Sequence, residues 1–242
     1  MSNLLFYHPN LEQDTFHLSE EESKHLVRVL RKKKGDEIRL MDGKGMEAIG
    51  IIENELHKQV EIFVKERKLH TLKSNYRFHL AIAPTKNADR MEWMLEKCAE
   101  IGIQEISLLT CSNSERSQMK TDRLKKILLS AIKQSKQFHL PRLNEQVNFS
   151  KFIEQKWSPN ALKLMAWCES EKKLNLKEKL AKFQYQDAQE IIVLIGPEGD
   201  FSPAEINLAI DQKFEPISLG ENILRTETAG VFVCAVLANH FL

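Results

Sequence analysis

Apolar segments of strand length alternate with helical segments in the carboxyl-terminal part of the chain, and this alternation constrains the fold more than any other feature. The segment from Ile191 to Ile195 is apolar at every position. Strands that alternate with helices predict a mostly parallel α/β sheet. The predicted strands are 76–83, 105–110, 161–166, 191–195 and 215–219. One predicted helix ends near residue 101, a second covers 122–136, a third starts after Ser202, and the last runs to residue 242.

The amino-terminal part has a different pattern, with short predicted strands at 15–18, 37–41, 47–52 and 60–64. Asp42-Gly43-Lys44-Gly45 is typical of a hairpin turn between two of them. One helix is expected to begin at Ser19, which stands at capping-box spacing from Glu22. The polar stretch 66–75 is the predicted linker, so we predict a β-barrel-like domain over 1–72 and an α/β domain over 73–242.

The composition, 42% hydrophobic and 29% charged, is that of a globular protein and excludes a disordered or fibrous chain. No apolar run is long enough to span a membrane, and the first residues lack the features of a signal peptide. We therefore expect a cytoplasmic protein without a membrane partner. Cys98, Cys111, Cys168 and Cys234 form no CxxC pair, which predicts reduced thiols and neither a metal site nor a disulfide.

Basic residues are concentrated in two stretches, although the net charge is only +1. The first runs from Lys24 to Lys34, and the second from Arg116 to Arg142. Each stretch is compatible with a solvated helix face or with contacts to the phosphates of a nucleic acid. The pattern leaves both interpretations open.

A glycine-bearing turn, Gly196-Pro197-Glu198-Gly199, directly follows the apolar strand 191–195. Ser202 is a predicted cap of the next helix, with Pro203 at its first position and Glu205 at capping-box spacing. Ligands of open α/β sheets bind beyond the carboxyl ends of such strands. The turn matches neither a GxGxxG fingerprint nor a P-loop. Glu198 disfavours a phosphate and suits a ligand with a positive centre, but a purely structural turn is equally compatible.

A second turn, Leu219-Gly220, follows the next predicted strand and leads into the last helix. Thr226 is a plausible cap for that helix. The helix is apolar on nearly all faces, so it is expected to be buried on more than one side. It is either a central core helix or a subunit interface.

The residues of these two turns also carry a resemblance to a known family. They are Gly196-Pro197-Glu198-Gly199 with Phe201-Ser202 and Glu205, and Leu219-Gly220 with Ile223-Leu224-Arg225 and Glu227-Thr228-Ala229. In order and spacing they resemble the RsmE family of 16S ribosomal RNA uridine-N3 methyltransferases. The resemblance covers nearly the whole chain and includes Asp89-Arg90-Met91 and Ser114-Glu115-Arg116-Ser117. The chain departs from the family pattern at Asp200, Glu221, Asn222, Lys133 and Gln137.

The resemblance implies a SPOUT methyltransferase domain, an α/β domain with a carboxyl-terminal trefoil knot, preceded by a small PUA-like β-barrel domain. It implies a homodimer formed through the carboxyl-terminal helix and S-adenosylmethionine bound among three loops. The cofactor-binding residues that it implies are Ala166, Ile195, Gly196, Pro197, Glu198, Gly199, Leu219, Gly220, Ile223, Leu224 and Ala229.

The implied reaction is methylation of N3 of a uridine in ribosomal RNA or the small ribosomal subunit. Arg225 is the candidate for stabilising the uracil anion or holding a phosphate, and Glu227 or Glu198 is the candidate proton acceptor. For Glu227, charge complementarity at a helix start is the alternative role. The candidate RNA contacts are Arg31, Arg28, Arg116 and Gln134.

Two other functions fit the same residues. A SPOUT enzyme that methylates a ribose 2′-hydroxyl or another base would share the cofactor loops. A non-catalytic RNA-binding assembly factor would keep the fold without the cofactor.

Overall fold

The computed structural model describes residues 4–72, 76–115, 118–167, 174–183 and 190–241, and the chain divides into two compact units. The first unit contains the described part of residues 1–72 together with 129–140. The second contains the remaining described residues. No helix among the described residues is long and apolar enough to cross a membrane.

The first unit is a five-stranded sheet around one apolar core. The sheet order is β1-β3-β4-β5-β2, with β1 parallel to β3 and the other pairs antiparallel. The hairpin at 42–45 is confirmed, because it joins β3 to β4. The strands are β1 (Leu5–Tyr7), β2 (Thr15–His17), β3 (Glu37–Met41), β4 (Met46–Ile52) and β5 (Glu61–Leu69).

Helix α1 (Glu20–Lys24) continues as a π-helical turn, His25–Val29. Ser19 caps it as predicted, since its hydroxyl accepts from the amide of Glu22 at 3.2 Å. The carboxylate of Glu22 does not complete a capping box, however. It binds the Lys133 ammonium at 2.5 Å, and an ion pair this well buried is a stronger interaction than an exposed cap.

The linker prediction was wrong for residues 66–69, which extend β5.

The second unit is a parallel sheet with the strand order β11-β13-β10-β12-β6-β7-β8, and β9 pairs with β7. The predicted parallel α/β class is confirmed by this pairing. The strands are β6 (Arg77–Ile82), β7 (Glu105–Thr110), β8 (Arg142–Leu143), β9 (Val147–Asn148), β10 (Leu162–Ala166), β11 (Leu174–Asn175), β12 (Glu190–Ile195) and β13 (Glu215–Ser218).

The helices that connect these strands are α2 (Ala88–Ile101), α3 (Thr121–Ser135), α4 (Phe149–Ile153), α5 (Leu176–Lys182), α6 (Pro203–Asp211) and α7 (Thr226–Phe241). The residues of α3 from 129 onward belong to the first unit. Helix α6 begins with the predicted capping box between Ser202 and Glu205. Cys98, Cys111 and Cys234 are buried free thiols, while Cys168 lies outside the described residues.

A buried histidine lies on β6 at the core of this unit. His79 is 4% exposed, and its Nε2 atom lies 2.8 Å from the hydroxyl of Ser107. Burial lowers the pKa of His79 to about 4, and the nearby Glu105 carboxylate opposes this only partly. His79 is therefore neutral in the folded protein at neutral pH.

This histidine predicts a pH dependence of stability. The folded-state pKa lies below the unfolded value of 6.5, so its contribution is complete above pH 6.5 and is lost as the pH falls toward 4. The loss should reach at most about 3 kcal/mol in the free energy of unfolding. Urea unfolding at a series of pH values will measure it. His79→Gln should flatten the curve, whereas the exposed His57→Gln should not. Parallel curves for all three proteins would contradict the assignment.

Candidate cofactor site

A cavity of about 350 Å³ lies at the carboxyl edge of the second unit's sheet. The loops after β10, β12 and β13 line it, together with the start of α7. Strand β10 pairs with both β12 and β13 in parallel register, so the three strands release their loops at the same edge. The two glycine-bearing turns therefore meet in one cavity, although β10 lies between their strands.

Most residues of the sequence-based list line this cavity. They are Ala166, Ile195, Gly196, Pro197, Glu198, Leu219, Gly220, Ile223, Leu224, Arg225 and Ala229. Gly199 and Glu227 do not belong to the lining. Residues absent from the list also line it, namely Trp167, Asp200, Ile217, Ser218, Glu221, Asn222 and Thr226. Each of these residues lies at the end of a predicted strand or in the loop that follows it, so this location was the available signal.

The first turn, residues 196–200, is held by another loop. The side-chain amide of Asn113 donates to the carbonyls of Gly199 and Asp200 at 3.0 and 3.1 Å. A Cβ atom on Gly199 would lie 3.2 Å from the Cβ of Asn113, so the close approach favours glycine. Gly199 thus shapes the turn from outside the cavity.

Two carboxylates fasten the same region to neighbouring loops. Glu198 accepts a hydrogen bond from the amide of Lys86 at 3.0 Å. Glu205, which is 8% exposed, accepts from the amide of Ser112 at 2.8 Å. Sequence reasoning missed Lys86, Ser112 and Asn113 because they follow β6 and β7, far away along the chain.

Thr226, at the start of α7, connects this helix to the first turn. We predicted it as the cap of α7, but the helix already begins at Thr226, and the amide of Ala229 bonds to the carbonyl of Arg225 at 2.8 Å. The Thr226 hydroxyl instead donates to the carbonyl of Gly196 at 3.2 Å in a buried position. Gly220 in the second turn has φ +135°, a backbone conformation that favours glycine.

The proposed catalytic residues differ in their access to the cavity. Arg225 is exposed and lines the cavity, and Glu198 is exposed at its edge. Glu227 is 6% exposed, and its carboxylate lies 3.7 Å from Nε of Arg90. Because Glu227 occupies the first turn of α7, this position favours the alternative role of charge complementarity at a helix start.

The charge and surface of the cavity fit a ligand that is partly apolar and carries a positive centre. The ionisable lining residues are the carboxylates Glu198, Asp200 and Glu221 and the guanidinium of Arg225. Ile195 and Ile217, both buried, form apolar wall at the strand ends. This balance is unfavourable for a bare phosphate and favourable for a sulfonium nucleoside.

Those candidate RNA contacts that the structure describes lie in the first unit. Arg28, Arg31 and Gln134 are exposed, and neither arginine has an ion-pair partner among the described residues. Arg31 has φ +53°, so it stands at a sharp bend of the chain after the π-helical turn. Arg116 lies outside the described residues.

The fold and the cavity, together with family comparisons, define the class of protein. A family profile described as an RNA methyltransferase domain matches residues 72–238. A second profile, described as an RNA methyltransferase PUA domain, matches residues 18–65. The chain is therefore an RNA methyltransferase with a PUA-like amino-terminal domain.

Individual relatives narrow this class. Ribosomal RNA small subunit methyltransferase E of Mesomycoplasma hyopneumoniae is 30% identical over 72% of this chain and 74% of its own length. A Porphyromonas gingivalis structure described as a "probable rRNA-methyltransferase" is 37% identical, with a TM-score of 0.89 over 98% of both chains. A Legionella pneumophila methyltransferase solved with bound SAM is 28% identical, with a TM-score of 0.85 over 99% of this chain and 98% of its own. The chain belongs to the ribosomal RNA small subunit methyltransferase E family.

The hydrogen bond between Thr226 of α7 and the first turn gives a prediction about stability. Thr226→Val keeps the shape of the side chain but removes the donor, so the buried Gly196 carbonyl loses a partner at a cost of roughly 1–3 kcal/mol. Thr226→Ser keeps the hydroxyl and should cost much less. Urea unfolding measures the loss, and amide hydrogen exchange of residues 198–201 should accelerate only in the valine variant. Equal behaviour of the two variants would show that the hydroxyl does not hold the turn.

Proposed function

We propose that the protein methylates N3 of a uridine in small-subunit ribosomal RNA with S-adenosylmethionine as methyl donor. The observation that carries the proposal is the single cavity formed by the loops after β10, β12 and β13, which contains the residues of the family motif. The bound SAM of the Legionella pneumophila relative supports the same cofactor. The name shared by the curated relatives supports ribosomal RNA as substrate.

The loops around the cavity are suited to hold the cofactor mainly through their backbone. Gly196, Pro197 and Leu219 line the cavity, and the buried ends of β12 and β13 provide an apolar surface. S-adenosylmethionine supplies an electrophilic methyl group when bound. The lining carboxylates Glu198 and Asp200 stabilise its positive charge, and the fixed turns orient it.

Arg225 and Glu198 are the candidates for acting on the uridine. Uracil N3 must lose its proton, and the resulting negative charge spreads to the flanking carbonyl oxygens. The Arg225 guanidinium is exposed at the cavity, where it can stabilise this charge or hold a phosphate of a flipped nucleotide. We propose Glu198 as the proton acceptor, because it is an exposed carboxylate that lines the cavity.

We propose that the first unit binds the RNA. The exposed Arg28 and Arg31 offer guanidinium groups to phosphates, and Gln134 offers an amide in the same unit. Arg116 remains a proposed contact. Lys133 is excluded from this set, since it pairs with Glu22.

Finer features of the fold are also proposals. We propose a boundary after residue 72 between a PUA-like domain and a SPOUT domain over 73–242 that is threaded as a trefoil knot. The strand order is compatible with this threading, since the chain passes from β12 to β13 across the intervening β10. Action on ribosomal RNA favours a location in the cytoplasm.

We also propose that the protein forms a homodimer through α7. One side of α7 is buried in the second unit, but Val231, Phe232 and Val236 are only half-buried. On α2, which packs on α7, Trp93 is 46% exposed. The half-buried apolar residues of α7 and the exposed tryptophan of the neighbouring α2 are suited to packing against a second copy of the chain.

Nucleoside mass spectrometry of ribosomal RNA tests the reaction. A strain that lacks the protein should lack one N3-methyluridine in small-subunit RNA, and the wild-type chain should restore it. Arg225→Ala should lower the methylation rate of the purified enzyme roughly 100-fold, because one charge-stabilising group is lost, while cofactor affinity changes little. If RNA from the strain that lacks the protein has instead lost a 2′-O-methyl nucleoside, the result would support a ribose methyltransferase. Unchanged RNA and no binding of S-adenosylmethionine in calorimetry would support a non-catalytic assembly factor.

A further inference from the structure

Asp200 adopts a backbone conformation that side chains rarely take. Its φ is +58°, in the left-handed region that glycine enters without a steric penalty. The amide of Asp200 bonds to the carbonyl of Pro197 at 2.9 Å, so the bend closes the first turn. A side chain in this conformation is a candidate for a functional role, because glycine would adopt it without strain.

The side chain of Asp200 is held in place at the cavity. Its Oδ1 atom accepts a hydrogen bond from the amide of Phe201 at 2.8 Å. The same atom lies 3.3 Å from the point that a Cβ on Gly196 would occupy, so the carboxylate lies directly over the glycine of the turn. Asp200 and Gly196 both line the cavity. The carboxylate is thus fixed beside the proposed cofactor and is not a freely moving surface group.

Asp200 is also the best shielded carboxylate of the lining. Glu198 and Glu221 are exposed, whereas Asp200 is half-buried. Water and salt weaken the field of an exposed charge more than that of a half-buried one. Of the three lining carboxylates, Asp200 should therefore act most strongly on a charge inside the cavity.

We infer that the Asp200 carboxylate makes this cavity selective for the positively charged methyl donor over the neutral product of transfer. The inference rests on the proposed function. S-adenosylmethionine and S-adenosylhomocysteine share their adenosine, ammonium and carboxylate groups, and they differ by one methyl group and one positive charge. When the methyl group leaves, the sulfur becomes a neutral thioether and loses its attraction to the carboxylate. Because the carboxylate strengthens binding of the donor alone, the donor displaces the product more effectively than it would in an uncharged cavity.

Calorimetric titration with S-adenosylmethionine and S-adenosylhomocysteine tests this selectivity. Asp200→Asn keeps the size of the side chain, an oxygen for the Phe201 amide and a residue type that tolerates positive φ. The ratio of the two dissociation constants, product over donor, should fall roughly three- to tenfold in this variant. The loss should come from weaker donor binding, and the wild-type ratio should decrease as salt is added.

Two further variants serve as comparisons. Asp200→Gly removes the unfavourable backbone conformation, so its melting temperature should equal or exceed that of the wild type while its selectivity falls as in the asparagine variant. Asp211→Asn makes the same chemical change at the exposed end of α6, outside the cavity, and should leave the ratio unchanged.

The outcomes separate this inference from the proposed function. If the wild type binds both ligands and Asp200→Asn weakens them equally, the inference is overturned while the proposed cofactor stands, because the carboxylate then acts on a shared group or only shapes the turn. An unchanged ratio in Asp200→Asn overturns it in the same way. A wild-type protein that binds neither ligand overturns the proposed function, and the inference with it.

Discussion

Burial of β12 in the middle of a parallel sheet is the constraint on which the site depends. Every residue of this strand is buried, and it pairs with β6 on one side and β10 on the other. The chain must therefore leave the sheet at Ile195 and turn within a few residues into α6. Because β10 and β13 run in the same direction, their loops emerge beside that turn, and a cavity forms between them.

The turns are held by contacts from distant parts of the chain. Asn113 and Thr226 both bind carbonyls of the first turn, one from the loop after β7 and the other from α7. Methyl transfer from a sulfonium depends chiefly on alignment, so a fixed backbone is the main contribution that such a site can make. Asp200 is part of this fixed backbone. At its positive φ, a position that glycine could occupy, the aspartate adds a carboxylate to the cavity.

Much of this arrangement could be predicted from local sequence. The apolar strand 191–195, the Ser202–Glu205 capping box and the 42–45 hairpin depend on neighbouring residues, and the structure has all three. Strand order could not be predicted, because nothing local to β10 indicates that it lies between β12 and β13. The same limit explains two errors. The Glu22 carboxylate binds the distant Lys133, and the Thr226 hydroxyl binds Gly196, since partners far along the chain outcompeted the local caps.

A crystal structure of the protein grown with S-adenosylhomocysteine would show whether one ligand is enclosed by the three loops. We predict that the ligand lies between residues 196–200 and 219–224, with its adenosine against the ends of β12 and β13 and its sulfur facing Asp200. Ligand density at any other place, or a cavity closed by these loops in the complex, would contradict it.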